Sequence, residues 1–227
     1  MANLLIIESA TDICSVAIVN DGKVLANREL LEPFKHSERL TILIQDALEA
    51  ANLKTRDLDA IGLSSGPGSY TSLRVGASVA KGLCFGLDIP LIALDTLQGI
   101  AAGMVEANPS CDFYIPMIDA RRMEVYCTVY DDKLNLIKET SSEVLTTLTF
   151  QEFENSKSLV IGGNGAEKTK ELYEEKGYLY SKINRCNAIF FKREIVEKYN
   201  RKEFVDMALF EPSYLKSPAI TRPKSLL

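Results

Sequence analysis

Asp119, Arg121 and Arg122 stand together in a short polar break between two strand-like runs. A carboxylate beside two guanidinium groups can close a solvated hairpin with an internal ion pair. It can also leave the arginines to hold an anion, because each guanidinium presents a planar fork of donors matched to phosphate. The residues alone leave both readings open. Metal chemistry is more restricted. The chain has one histidine, His36, so any hydrolase built on a helical pair of zinc- or iron-binding imidazoles is excluded. His36 stands at the start of a helical pattern, a structural position. The five cysteines, Cys14, Cys84, Cys111, Cys127 and Cys186, form no close pair. They read as buried free thiols of a reducing compartment rather than as disulfides or a metal site.

The elements that must position these groups are organised around residues 59–86. Residues 60–64 read as a buried strand, and Gly66, Pro67 and Gly68 force a turn because proline donates no ladder hydrogen bond. A helix then begins at once. Its small residues Ser72, Gly76 and Ala80 fall four apart and share one face. Glycine inside a helix costs roughly 1 kcal/mol against alanine, so something must approach the bare backbone closely. That something is either the chain's own sheet or the helix of another subunit.

Before this stretch, residues 4–7 form a continuous apolar run that ends in Glu8, as in a central strand. Residues 13–19 and 23–31 flank an Asn20-Asp21-Gly22 hairpin turn. Ser37 and Glu38 mark a helix start, and Leu40, Leu43, Ile44, Ala47, Leu48 and Ala51 follow at helical spacing. After it, residues 91–94 read as a strand and Asp95 or Thr96 caps a helix that fades near Pro109. The pattern then restarts with strands at 113–118, 124–130 and 134–140. Thr149 and Glu152 fit a capping box for a short helix. A strand at 158–161 runs into Gly162, Gly163, Asn164 and Gly165, followed by a charged helix at 166–176 and a last helix at 188–199. Two halves, 1–108 and 109–227, each open with a three-strand meander. This element order implies an internal duplication of structure without a matching sequence repeat.

The 227 residues, 46% apolar, suffice for one large domain or two small ones with real cores. No apolar run is long enough to span a bilayer and the first residues lack a signal-peptide pattern, so the expected location is the cytoplasm. A net charge of −5 is unlike a dedicated nucleic-acid binder, which carries a basic excess. If the protein works on RNA, another subunit holds it.

Five segments carry a resemblance. They are HSERL from His36, GPGSYTSLRVG from Gly66, GLDIPLIALDTLQ from Gly86, IDARRMEVY from Ile118 and FEPSYLK from Phe210. Together they resemble the TsaB family, also called YeaZ. The resemblance implies an α/β actin-like ATPase (ASKHA) fold in two ribonuclease-H-like halves, with mixed sheets flanked by helices. It implies a non-catalytic subunit of the bacterial machinery that adds threonylcarbamoyl to N6 of adenosine 37 in tRNAs reading codons that begin with adenine. The implied partners are TsaD, the catalytic paralogue, in a heterodimer, and TsaE, an ATPase; tRNA would be met indirectly through the complex. A homodimer is the implied alternative when TsaD is absent.

The resemblance also implies site roles. Two metal-binding histidines of the TsaD pattern fall on Thr96 and Ile100, neither of which replaces imidazole as a ligand. Glu8 stands where such folds place an acid near phosphate or metal, but Cys14 and Ser15 replace the threonine and glycine of the phosphate hairpin. Gly162, Gly163 and Asn164 match the loop that cradles adenosine. Arg121 and Arg122 are candidates for phosphate of tRNA or of ATP or ADP at the complex junction, with no cofactor bound tightly by the chain itself. The implied docking surface is the two helices at 37–51 and 71–86, with Leu40, Leu43, Ser72, Leu73, Gly76, Ala77 and Ala80 as interface residues. A bulky residue at Gly76 would then cut complex formation and spare the fold. The competing reading is a small ATP-dependent phosphotransferase that uses Glu8 for magnesium and the glycine loop for adenine. A metallopeptidase fails on the histidine count.

Overall fold

The computed structural model describes residues 1–33, 35–154, 156 and 158–216. The apolar run after Asn3 becomes β1 (Asn3–Glu8), which pairs antiparallel with β2 (Cys14–Asn20), itself antiparallel to β3 (Lys23–Leu30). Helix α1 (His36–Ala50) leads to β4 (Ala60–Gly66), parallel to β1. Helix α2 (Tyr70–Leu87) leads to β5 (Leu91–Asp95), parallel to β4. The sheet order is β3-β2-β1-β4-β5.

Helix α3 (Thr96–Ala107), capped by the Asp95 carboxylate on the Gln98 N–H at 2.8 Å, crosses to a second sheet. There β6 (Phe113–Asp119), β7 (Glu124–Tyr130) and β8 (Leu136–Val144) meander antiparallel, and β9 (Leu159–Gly162) and β10 (Leu179–Tyr180) add parallel on the other side of β6. Read from β8, the order β8-β7-β6-β9-β10 repeats the first sheet strand for strand. The duplication expected from element order is present in topology.

Burial explains the continuous apolar runs. On β1, Leu5 and Ile7 join the core under α1 and α2, whereas Leu4 and Ile6 face the opposite core. That second core is shared. It gathers Leu94 of the first sheet, Tyr114 and Val160 of the second, Leu97, Ile100 and Met104 of α3, and Ile195 of α4 (Lys192–Asn200). A strand buried on both faces has no polar positions to alternate.

Several elements differ from expectation. Helix α1 starts at His36 behind Lys35, whose ammonium pairs with Glu38 at 3.0 Å, so Ser37 lies in the first turn and caps nothing. The third strand of the second sheet starts at Leu136 rather than 134, because the Asp131 carboxylate accepts from the Lys133 and Asn135 amides at 2.9 and 2.8 Å and prolongs the turn. Thr149 accepts from the Thr146 N–H at 2.9 Å instead of capping a helix, and only a 3-10 turn at Gln151–Phe153 follows. The charged helix at 166–176 is two 3-10 turns, Ala166–Thr169 and Glu174–Lys176. The Thr169 hydroxyl donates back to the Ala166 carbonyl at 2.7 Å, a local bond that competes with helix propagation. The last helix opens as a 3-10 turn, Ala188–Phe191, and becomes α-helical at Lys192. Residues from Ala188 onward also return to the first sheet: Val205 donates to Leu91 at 3.0 Å and Ser213 to Ser65 at 2.7 Å. The C-terminal elements therefore pack on the first sheet as well as following the second in sequence.

Candidate functional site

The hairpin joining β1 to β2 carries Glu8, Ser9, Ala10, Thr11 and Ile13, all buried. Two neighbours close over it. The Ser69 N–H donates to the Ala10 carbonyl at 2.6 Å, and Gly68 and Gly76 lie so near that an added Cβ would strike the Ala10 carbonyl and the Ser9 hydroxyl. His36, 3% exposed, backs the same loop; burial pulls its pKa down, offset in part by backbone groups of Ile13 and Thr11. The loop is closely packed by the chain itself.

Glu8 is sealed inside. Its Oε1 accepts from the Ala10 N–H at 2.7 Å and its Oε2 has no partner among the described residues. Burial pushes its pKa up to about 7, and the Ala10 amide and Ser64 hydroxyl pull it back only in part. The stability consequence has a definite sign. Between the ordinary value of 4.5 and about 7 the folded chain holds a proton that the unfolded chain has released, so stability is full below that window and falls as pH rises through it. Glu8→Gln is expected to shrink the difference in urea-unfolding free energy between pH 5 and pH 8 by roughly 2 to 3 kcal/mol. An unchanged difference would show that Glu8 is ionised in the fold.

The glycine loop after β9 is accounted for by packing. An added Cβ would strike the Met104 sulfur at Gly162 and the Met117 carbonyl at Gly163 (φ +89), and at Gly165 it would lie 3.0 Å from Met117 and Val125 carbons. Asn164 turns its carbonyl to the Asp119 N–H at 2.9 Å, which ties the loop to the β6–β7 hairpin. The internal ion pair expected in that hairpin is absent. Asp119 pairs instead with Lys168 at 2.7 Å, and Arg121 and Arg122 point into solvent.

The docking residues expected on α1 and α2 face inward. Leu40, Leu43, Ser72, Leu73, Gly76, Ala77 and Ala80 are all buried in the chain's own core. Gly76 is bare because Ser9 and Leu63 pack on it. A signal for this was available: Leu73, Ala77 and Cys84 share the helix face of Gly76 and are apolar. The outer side of the two helices differs. Thr41, Gln45 and Glu49 face Ser78 and Gly82 across an open groove of about 640 Å³, floored by Ile44, Leu48, Val79 and Leu83. An added Cβ on Gly82 or Gly86 would meet nothing within 4 Å, and Phe85 is 80% exposed. Gly82, six positions after Gly76, lies about 120° round the helix from it.

The remaining candidates are core. Thr96 and Ile100 are fully buried, and among the described residues no group of three His, Cys, Asp or Glu could hold a metal. All five cysteines are free and buried; burial pushes Cys14 and Cys127 up to about 12 and Cys84 to about 11, so these thiols stay protonated. No described helix is long and apolar enough to cross a membrane.

The comparisons with known proteins converge. The family model described as TsaD, tRNA N6-adenosine threonylcarbamoyltransferase, matches residues 33–191. The tRNA threonylcarbamoyladenosine biosynthesis protein TsaB of Escherichia coli K12 is 34% identical over 178 residues, covering 77% of this chain and 76% of that protein. Its counterpart in Haemophilus influenzae is 29% identical over 224 residues, covering 94% and 93%. The solved structure of YeaZ from Pseudomonas aeruginosa superposes with a TM-score of 0.77 at 24% identity, over 95% of this chain and all of that one. The duplicated mixed sheets and flanking helices are the α/β actin-like fold. The chain belongs to the TsaB family, also called YeaZ, of tRNA threonylcarbamoyladenosine biosynthesis.

Proposed function

We propose that this chain is a non-catalytic subunit that binds and supports TsaD, which adds threonylcarbamoyl to N6 of adenosine 37 in tRNAs reading codons that begin with adenine. The observation that carries the reading is the outer face of α1 and α2, where a groove with an apolar floor is lined by the open Gly82, and the exposed Phe85 and the open Gly86 follow within the next turn of α2. Burying Phe85 alone would contribute about 2 kcal/mol, and glycine positions admit a partner helix to the backbone. The same surface would pair with a second copy when TsaD is absent, and TsaE would join the assembly in the cytoplasm. ATP or ADP, if bound, would lie at the complex junction.

The non-catalytic part rests on the closed hairpin and on Thr96 and Ile100 in the core. The competing phosphotransferase reading needs magnesium at Glu8, whose carboxylate has no exposure. Titration calorimetry separates them. Under the proposal the chain binds TsaD of the same organism and takes up no magnesium-ATP by itself. Tight magnesium-dependent ATP binding by the isolated chain would reverse the choice.

A further inference from the structure

The C-terminal segment ends its described course as a strap over α2. Lys81 donates to the Phe210 carbonyl at 3.0 Å and Ser213 to the Ser65 carbonyl at 2.7 Å. Tyr214 is thereby laid on Tyr70 with ring centroids 4.7 Å apart. The Arg74 guanidinium lies 4.1 Å from the Tyr70 centroid and donates to the Tyr214 hydroxyl at 3.3 Å. It feels Glu211 through space yet makes no ion pair among the described residues. Two residues further on, at most about 7 Å of chain, Lys216 pairs with Glu124 at the base of the β6–β7 hairpin. The strap therefore links a guanidinium–tyrosine stack on α2 to the hairpin that carries Arg121 and Arg122.

That hairpin is arranged in an unusual way. Arg121 and Arg122 adopt φ +71 and +47 in a loop closed by the Glu124 N–H on the Arg121 carbonyl and the Ala120 N–H on the Glu124 carbonyl, and such left-handed backbone is carried most easily by glycine and asparagine. Two arginines are poor choices for that backbone, which points to a use for their side chains. The acids that would neutralise them are occupied, Asp119 by Lys168 and Glu124 by Lys216. Neither guanidinium forms an ion pair among the described residues. Half-buried tyrosines stacked with the exposed Arg74, tied by the strap to a hairpin with two unpaired guanidinium forks, form a local site on a chain of net charge −5.

We propose that this edge binds a single-stranded segment of RNA, with bases stacking on the Tyr70–Arg74–Tyr214 group and phosphates held by Arg121 and Arg122. The proposal rests on the tRNA-modifying role stated above and adds a direct contact to it. Flat π faces take any base, and fork-shaped donors take phosphate oxygens, whereas a peptide or a membrane would not use the alternation of the two.

Fluorescein-labelled tRNA is titrated with the full chain, alone and with TsaD, as wild type, R121E/R122E and R121N/R122G. The last variant removes both charges and suits the turn better, so its melting temperature should not fall and a loss of binding cannot be unfolding. Expected are an affinity lower by about tenfold or more in both variants with TsaD present and a salt slope reduced by about two, with TsaD association by calorimetry unchanged. Equal affinity and slope overturn the proposal. So does displacement of the tRNA by ADP, which would assign the arginines to a mononucleotide. A wild-type chain that fails to associate with TsaD counts against the function proposed above; the titration of the chain alone then decides, with the same tenfold difference expected and equal binding overturning.

Discussion

Gly82→Trp is expected to weaken association with TsaD at least about a hundredfold while leaving the fold as stable as wild type. The position is open, with nothing within 4 Å of an added Cβ, and any side chain there gains helix propensity over glycine by up to about 1 kcal/mol. The same side chain would stand in the partner's path along the groove, and a hundredfold is about 2.7 kcal/mol, within the usual cost of overpacking a close contact. Calorimetry reads the affinity and thermal unfolding the stability. Phe85→Asp should act in the same direction, since a residue 80% exposed contributes little to the free chain. Wild-type affinity in both variants would remove the α1–α2 groove from the interface.

Gly76→Val is expected to do the opposite, destabilising the chain by roughly 3 kcal/mol or preventing folding. Its Cβ would strike the Ser9 hydroxyl and lie 3.2 Å from Leu63 Cδ1. Urea unfolding measures the loss. Adding Ser9→Gly should recover part of it, because the two positions touch and their effects cannot be additive. A Gly76→Val chain of wild-type stability that no longer binds TsaD would return Gly76 to the interface, where the family resemblance had placed it.

That contrast shows what could be read from the residues. The spacing of Ser72, Gly76 and Ala80 correctly demanded a close approach, but helical periodicity says only that they share a face, not what meets it. The answer lies in the hairpin at Ser9 and Ala10, which is remote in sequence. The strands were legible because β1, β4, β6 and β9 are buried on both sides and so are written as unbroken apolar runs. The turns were legible where glycine, proline or Asp95 demanded them. The 3-10 turns of the second half were not, because single contacts such as the Thr169 hydroxyl on Ala166 decide against a helix that the charge pattern favours. The fate of Asp119 was hidden for a similar reason: Lys168 arrives from a segment whose path depends on those turns.

The hairpin arginines have a cost that the fold carries. Two non-glycine residues at positive φ cost about 1 kcal/mol each or more, so R121N/R122G should raise the unfolding free energy by roughly 1 to 2 kcal/mol. A binding function that is lost with the same substitutions would explain why the strain is kept.

The central claim is that this chain does no chemistry of its own yet is required for it. The most direct measurement is threonylcarbamoylation of a suitable tRNA by purified TsaD and TsaE of the same organism, with this chain present or omitted. The account predicts product only when the chain is present, and equally with Glu8→Gln in its place. Product formed at the same rate without the chain would contradict it.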